Sequence, residues 1–251
     1  MISEFPLFIF TTLGGLSAGL VMAMALFPPA EKPARPWLAP LTALVLLGLG
    51  MLGVLFHLSK PHLFLLALRN PAAGIAQEAY CGILMGILLL VMLIVAWRKG
   101  EAPKALVWVT AAVSLVMTFI MGSAYMANVG TAAWANWTTI PLFVVGDLAM
   151  GLALWAALAK GTLDKRPFAL TTIVVLAVLA VVMLLSALHF GSVDADAVLF
   201  YAGLVVAPVA GIVITALAMK NPASWQPTAL VACVVIGVCL SRWAFYAASI
   251  L

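Results

Sequence analysis

The chain has 251 residues, 66% of them hydrophobic and 8% charged, with a mean hydropathy of +1.24 and a formal net charge of +4. That usage lies far outside the range of a water-soluble domain and marks an integral membrane protein. The basic residues are scattered over loops and form no long run and no patch interleaved with aromatics, which excludes nucleic acid as a partner and leaves membrane lipid as the surroundings.

Apolar residues fall in runs of about twenty, the length a helix needs to cross a hydrocarbon layer of roughly 30 Å. Alternating segments of the barrel type are absent. The first run, Phe5–Phe27, follows MISEFP, which carries Glu4 and no basic stretch, so it is expected to stay as a helix and not to be cleaved as a signal peptide. The second, Trp37–His57, ends on a histidine. The loop that follows, from Leu58 to Gly74, is the longest, and within it HLFLLALR (His62–Arg69) is apolar but too short to cross. Bounded by Lys60-Pro61 and Asn70-Pro71, it predicts a short helix or turn lying in the interface and roofing the outer ends of helices two and three. The third run, Ile75–Trp97, carries Glu78 near its start, and the fourth, Ala105–Met126, closes on Tyr125. A loop with Trp134 and Trp137 leads to the fifth, Ile140–Leu158, which holds Asp147. The sixth is Phe168–His189; a loop with Asp194 and Asp196 precedes the seventh, Ala197–Met219, and the eighth, Ala229–Ser249, contains Arg242. The fold class predicted is an all-α integral membrane protein, a bundle of eight transmembrane helices in a single polytopic domain over residues 1–251, since lipid leaves each backbone amide to satisfy itself within its own segment.

Odd-numbered loops carry Lys32, Arg35, Arg98, Lys99, Lys104, Lys160, Lys165, Arg166 and Lys220, whereas even-numbered loops carry only Lys60 and Arg69. By the positive-inside rule both termini are expected on the outer, periplasmic side of a bacterial inner membrane. His57, His62, His189, Glu78 and all four tyrosines then gather toward that outer side, partly because amphipathic rings favour any interface.

Three charged side chains, Glu78, Asp147 and Arg242, fall within the runs. His57 and Glu78 can meet where the end of helix two lies beside the start of helix three; helix dipoles there favour the imidazolium and the carboxylate, and proton exchange near neutral pH follows, with a merely solvated pair as the competing account. Asp147 and Arg242 are the only other opposite charges, a candidate structural pair, although on these helix limits Arg242 lies nearer the outer end. Cys81, Cys233 and Cys239 form no C-x-x-C pair, so neither zinc nor a cysteine-ligated iron–sulfur cluster is expected, and no other metal. A bundle that carries electrons across both leaflets on haem would need histidines at two depths, and here only an outer pair, His57 and His189, is on offer; haem is disfavoured. A small-solute transporter is the alternative class, which Asp147 keeps open.

The segment LFHLSKPHLFLLALRNPAAGIAQEAYCGIL, with AYMANVGTAAWANWTTIPLF and the late SRWAFY in the same order, resembles the membrane-anchor subunits of dimethyl sulfoxide reductase-type molybdoenzymes, the DmsC family. It departs at Ser59 and Ser241, where that family's pattern has glycine, and at Val238, where an acidic residue often stands. The resemblance implies a haem-free anchor that oxidises menaquinol near the outer face in anaerobic respiration and holds two partners, an iron–sulfur electron-transfer subunit and a molybdopterin catalytic subunit. On that resemblance His57 and Glu78 are the catalytic pair, and the quinol is bound by His57, Arg69, Glu78 and Tyr125. Arg69 and Lys60 either steady the quinol or contact the iron–sulfur partner, or only fix the roof at the interface. Trp134, Trp137, Asp194 and Asp196 belong to the partner-docking surface.

Overall fold

The computed structural model describes residues 4–29, 33–57 and 64–250, with His57 described in its backbone alone. Among these residues eight helical stretches are long and apolar enough to cross a membrane, and no strand occurs. The helices are α1 (Phe5–Leu26), α2 (Leu38–His57), the four-residue α3 (Phe64–Ala67), α4 (Gly74–Lys99), α5 (Lys104–Met126), α6 (Thr139–Leu158), α7 (Arg166–Ser192), α8 (Val198–Leu204), α9 (Ala210–Lys220) and α10 (Gln226–Ala247). A five-residue π-turn, Val205–Val209, joins α8 to α9 into one crossing. The chain is a multi-pass helical membrane protein.

Local chemistry sets several ends. Proline stands in the first two positions of α1, α7 and α10, where its missing N–H is not needed. Gly100 closes α4 in the left-handed conformation, φ 77°, beside Arg98 and Lys99 in the last turn. Two ends differ from expectation. The sixth crossing, α7, runs to Ser192, three residues past its expected end at His189. Pro208 inside the seventh crossing withholds an N–H, and the backbone there widens by one residue where a straight helix was expected.

The packing centres on α1, whose spanning window is 72% buried and which touches α2, α5, α6 and α10. Rings from the start of α1 (Phe5, Phe8) meet Trp243 and Tyr246 at the end of α10, so these two ends share one face of the bundle, here called the near face. The far face holds the end of α1, where the Trp155 indole N–H donates to the Phe27 carbonyl at 2.8 Å. Gly15-x-x-x-Gly19 lies against α6 backbone: a methyl group at Gly19 would overlap the Asp147 carbonyl, and one at Gly151 would overlap Gly19. Gly82-x-x-x-Gly86 faces only side chains, Met51 and Leu47. Between α1 and α2 the Ser17 hydroxyl donates to the Ala43 carbonyl at 2.6 Å.

Candidate functional site

On the near face a cavity of about 280 Å³ opens between α1, α2, α4 and α5. Its polar lining comes from Glu4, Glu78, Tyr125, Asn128 and Trp134, its apolar lining from Leu7, Val54, Ile75 and Ala124. That volume lies just under the range of small-molecule pockets, enough for a ring-shaped head group and not for a long tail. Glu78 is 8% exposed and is the fifth residue of α4, just past the first turn, because the helix begins at Gly74. No hydrogen bond to its carboxyl group is made by the described residues, so its free direction is the cavity. His57 is the last residue of α2, one turn beyond the cavity-lining Val54; its side chain, with Lys60 and His62, lies outside the described residues.

The short helix expected in the second loop is present as α3, and the Tyr80 hydroxyl ties the residue after it to α4 by donating to the Leu68 carbonyl. Arg69 is exposed and does not line the cavity.

Beneath lies a cluster of rings. Tyr125 is buried, stacked on Phe143 at 5.4 Å and edge-on to Trp134, Phe245 and Tyr246. Trp134 is stacked on Phe245 at 5.3 Å, and its indole N–H donates to the Phe245 carbonyl at 2.6 Å. This corrects one expectation. At 5% exposure Trp134 belongs to the core and to the cavity wall, not to an outer docking surface, because a buried indole needs an acceptor and α10 supplies it. Trp137, by contrast, is 63% exposed, and Asp194 and Asp196 are exposed on the same face. Asp196 accepts from the Val198 N–H, two residues ahead, at 2.8 Å in a turn that leads into α8. His189 sits apart from the cavity, with Nε2 3.1 Å from the Ala132 carbonyl oxygen.

Deeper still, Arg242 and Asp147 form a buried ion pair, both at 1% exposure or less. The second guanidinium nitrogen donates to the Thr11 carbonyl, and the group lies 5.1 Å from the centre of the Phe143 ring. The offset read from the helix limits is real: by rise per residue Asp147 is about 12 Å and Arg242 about 8 Å from the near-face ends of their helices. Antiparallel geometry closes it. Side chains lean toward the start of their own helix, and α6 starts on the near face where α10 ends, so the two lean toward each other. Glu4, Thr11 and Tyr246 are not among the residues the sequence singles out. The i, i+4 spacing of Arg242 and Tyr246, which puts both on one side of α10, was the available signal.

A polytopic helical protein whose buried acid, phenols and ion pair are stacked beneath one small cavity at one membrane face is thus the class that fold and site define. The chain belongs to the DMSO reductase anchor subunit family (DmsC), whose sequence model matches residues 1–247. It is similar to the anaerobic dimethyl sulfoxide reductase chain YnfH of Escherichia coli (strain K12), at 27% identity over 208 residues, covering 77% of this chain and 72% of that protein. An anchor subunit is one chain of a larger assembly, and the family match favours that role over the transporter.

On the far face a larger cleft, about 700 Å³, is lined by Pro28, Pro29, Pro33, Pro36 and Pro103. Its ionisable groups Arg35, Glu101 and Lys104 are all exposed, so it lacks the buried acid that marks the near-face cavity.

Proposed function

We propose that this chain anchors a dimethyl sulfoxide reductase-type complex in the bacterial inner membrane, with the near face outward, and oxidises a quinol, menaquinol in the first instance, in the near-face cavity. The quinol head group enters between helices from the lipid and loses two electrons and two protons to become the quinone. His57 accepts a hydrogen bond and then a proton from one hydroxyl; Glu78, or water beside it, passes protons to the outer aqueous phase. The electrons leave to an iron–sulfur subunit docked over Trp137, Asp194 and Asp196, and reach a molybdopterin catalytic subunit beyond it. Protons are released on the side from which they are consumed, so the anchor conducts electrons and does not pump. Arg69 serves the roof and the docked partner.

The observation that carries this reading is Glu78: a carboxyl group removed from water, with its free direction into a cavity of head-group size, in a family of reductase anchors. Glu78→Gln keeps the shape and removes the proton acceptor. In the purified, assembled complex it is expected to lower quinol-dependent reduction of the terminal acceptor about a hundredfold, in the range for loss of a general base, while reduction from an artificial donor to the partner subunits is kept. Unchanged quinol oxidation would remove Glu78 from the mechanism.

A further inference from the structure

A quinol head group needs two kinds of partner: acceptors for the hydroxyl protons that leave, and a donor for the oxygen lone pairs that stay. Acceptors are plentiful on the described wall of the cavity, since Glu4 and Glu78 are carboxyl groups without an N–H. Donors are scarce. The Trp134 indole N–H is already spent on the Phe245 carbonyl at 2.6 Å. Tyr125 is buried and has a single hydroxyl. Among the described residues that line the cavity, Asn128 is the remaining side chain with an N–H.

The neighbours of Asn128 fix which way its amide faces. Oδ1 accepts the Gly130 N–H at 3.2 Å. A backbone N–H needs an oxygen, so turning the amide over would set Nδ2 against that donor. The backbone of Asn128 is committed as well: its N–H donates to the Tyr125 carbonyl at 3.0 Å, and its own carbonyl accepts the Thr131 N–H at 3.2 Å. Three of its four polar groups are thus used within the turn that follows α5. The fourth, the Nδ2 amino group, has two protons and meets no acceptor among the described residues. Asn128 stands exposed at the rim of the cavity, whereas Glu78 is enclosed on α4.

We propose that Asn128 is a binding residue that orients the quinol: Nδ2 donates to one oxygen of the head group, and the other hydroxyl is presented to the acid-bearing wall at Glu78. This rests on the quinol reading above. The bond is made to a lone pair that quinol and quinone share, so it holds both and acts on binding, not on the proton transfer.

The test uses the assembled complex, a water-soluble naphthoquinol as substrate and the matching quinone as inhibitor. Two variants separate the amide donor from the turn. Asn128→Asp keeps the oxygen that the Gly130 N–H needs but adds a charge; Asn128→Leu adds no charge but gives up that oxygen. Loss of the N–H donor is what they share. Each is expected to raise the quinol KM and the quinone inhibition constant together, about three- to tenfold, the worth of one hydrogen bond, with the effect in KM and not in kcat. A role in the turn alone would leave Asn128→Asp at the wild-type values, and an effect of charge alone would leave Asn128→Leu there. Either result overturns the inference, as does a fall in kcat with KM kept. Should Asn128→Leu fail to assemble, Asn128→Ser takes its place, a neutral and shorter side chain whose oxygen still serves the turn. A wild-type complex that oxidises no quinol counts instead against the proposed function itself.

Discussion

At the scale of single residues, the Asp147–Arg242 pair is the most demanding feature of the bundle. Charges this deep cost at least a few kcal/mol each when uncompensated (about 2.5–3.5 at a helix centre on the insertion scale), and here Arg242 is matched by Asp147, the Thr11 carbonyl and the Phe143 ring face. Asp147 is less completely served, since its Oδ2 has no partner among the described residues. Breaking such a pair from one side leaves a bare charge, whereas neutralising both sides does not. Arg242→Gln and Asp147→Asn are each expected to lower the thermal stability of the detergent-solubilised complex by the equivalent of about 3–5 kcal/mol. The double variant should lose less than the sum, with a coupling of roughly 0.5–3 kcal/mol. Strict additivity in that thermal-melt cycle would mean the two side chains do not act as a pair. The sequence offered both residues as rare opposite charges, but helix limits alone made their depths disagree. The missing piece was the opposed lean of side chains on antiparallel helices, which needs the packing of α6 against α10. For Thr11 and Tyr246 even less was visible, because a hydroxyl in an apolar run looks the same whether it back-bonds to its own helix or links two of them.

At the scale of elements, the eight crossings were legible because hydrocarbon length and backbone satisfaction leave few alternatives to a run of about twenty apolar residues. What such runs conceal is how closely two of them approach. Of two G-x-x-x-G patterns with equal claim in the sequence, only Gly15/Gly19 meets backbone, because the facing helix has its own small residue, Gly151, at the crossing; the Gly82/Gly86 face meets Met51 and Leu47. Alanine is therefore expected to act oppositely at different glycines. Gly151→Ala would push α6 off α1 and should cost about 1–3 kcal/mol as overpacking, together with any activity that needs the Asp147 position. Gly48→Ala, with nothing within 4 Å of the added methyl, should be neutral or stabilise by up to about 1 kcal/mol through helix propensity. Melting curves of the two variants, followed by circular dichroism, check both signs. Equal effects would mean that the α1–α6 crossing is looser than the contact at Gly19 and Gly151 requires.

At the scale of the whole molecule, the two faces differ in kind. Among the described residues the loops and helix ends of the far face carry Arg35, Arg98, Lys99, Lys104, Lys160, Lys165, Arg166 and Lys220, and the loops of the near face carry Arg69. The near face instead holds the cavity with Glu78 and Tyr125. Insertion tends to keep lysine and arginine in the cytoplasm, so this asymmetry predicts that the cavity opens outward, on the side where protons leave in the proposed reaction. The prediction is open to direct measurement. In a variant with Cys81, Cys233 and Cys239 replaced by serine, a single cysteine is placed either at Val129, 85% exposed on the near face, or at Lys160, exposed on the far face. A membrane-impermeant maleimide applied to intact cells from which the outer membrane has been removed is expected to label Val129→Cys at once and Lys160→Cys only after the inner membrane is opened. Labelling of Lys160→Cys in sealed cells would turn the bundle over. In the proposed reaction Glu78 would then discharge protons into the cytoplasm, the proposed docking surface at Trp137, Asp194 and Asp196 would face the cell interior, and an outer reductase could no longer draw electrons from this cavity. A single reversed site suffices, because the loop that carries Val129 also supplies Asn128 and Trp134 to the cavity wall, so loop and cavity share one side.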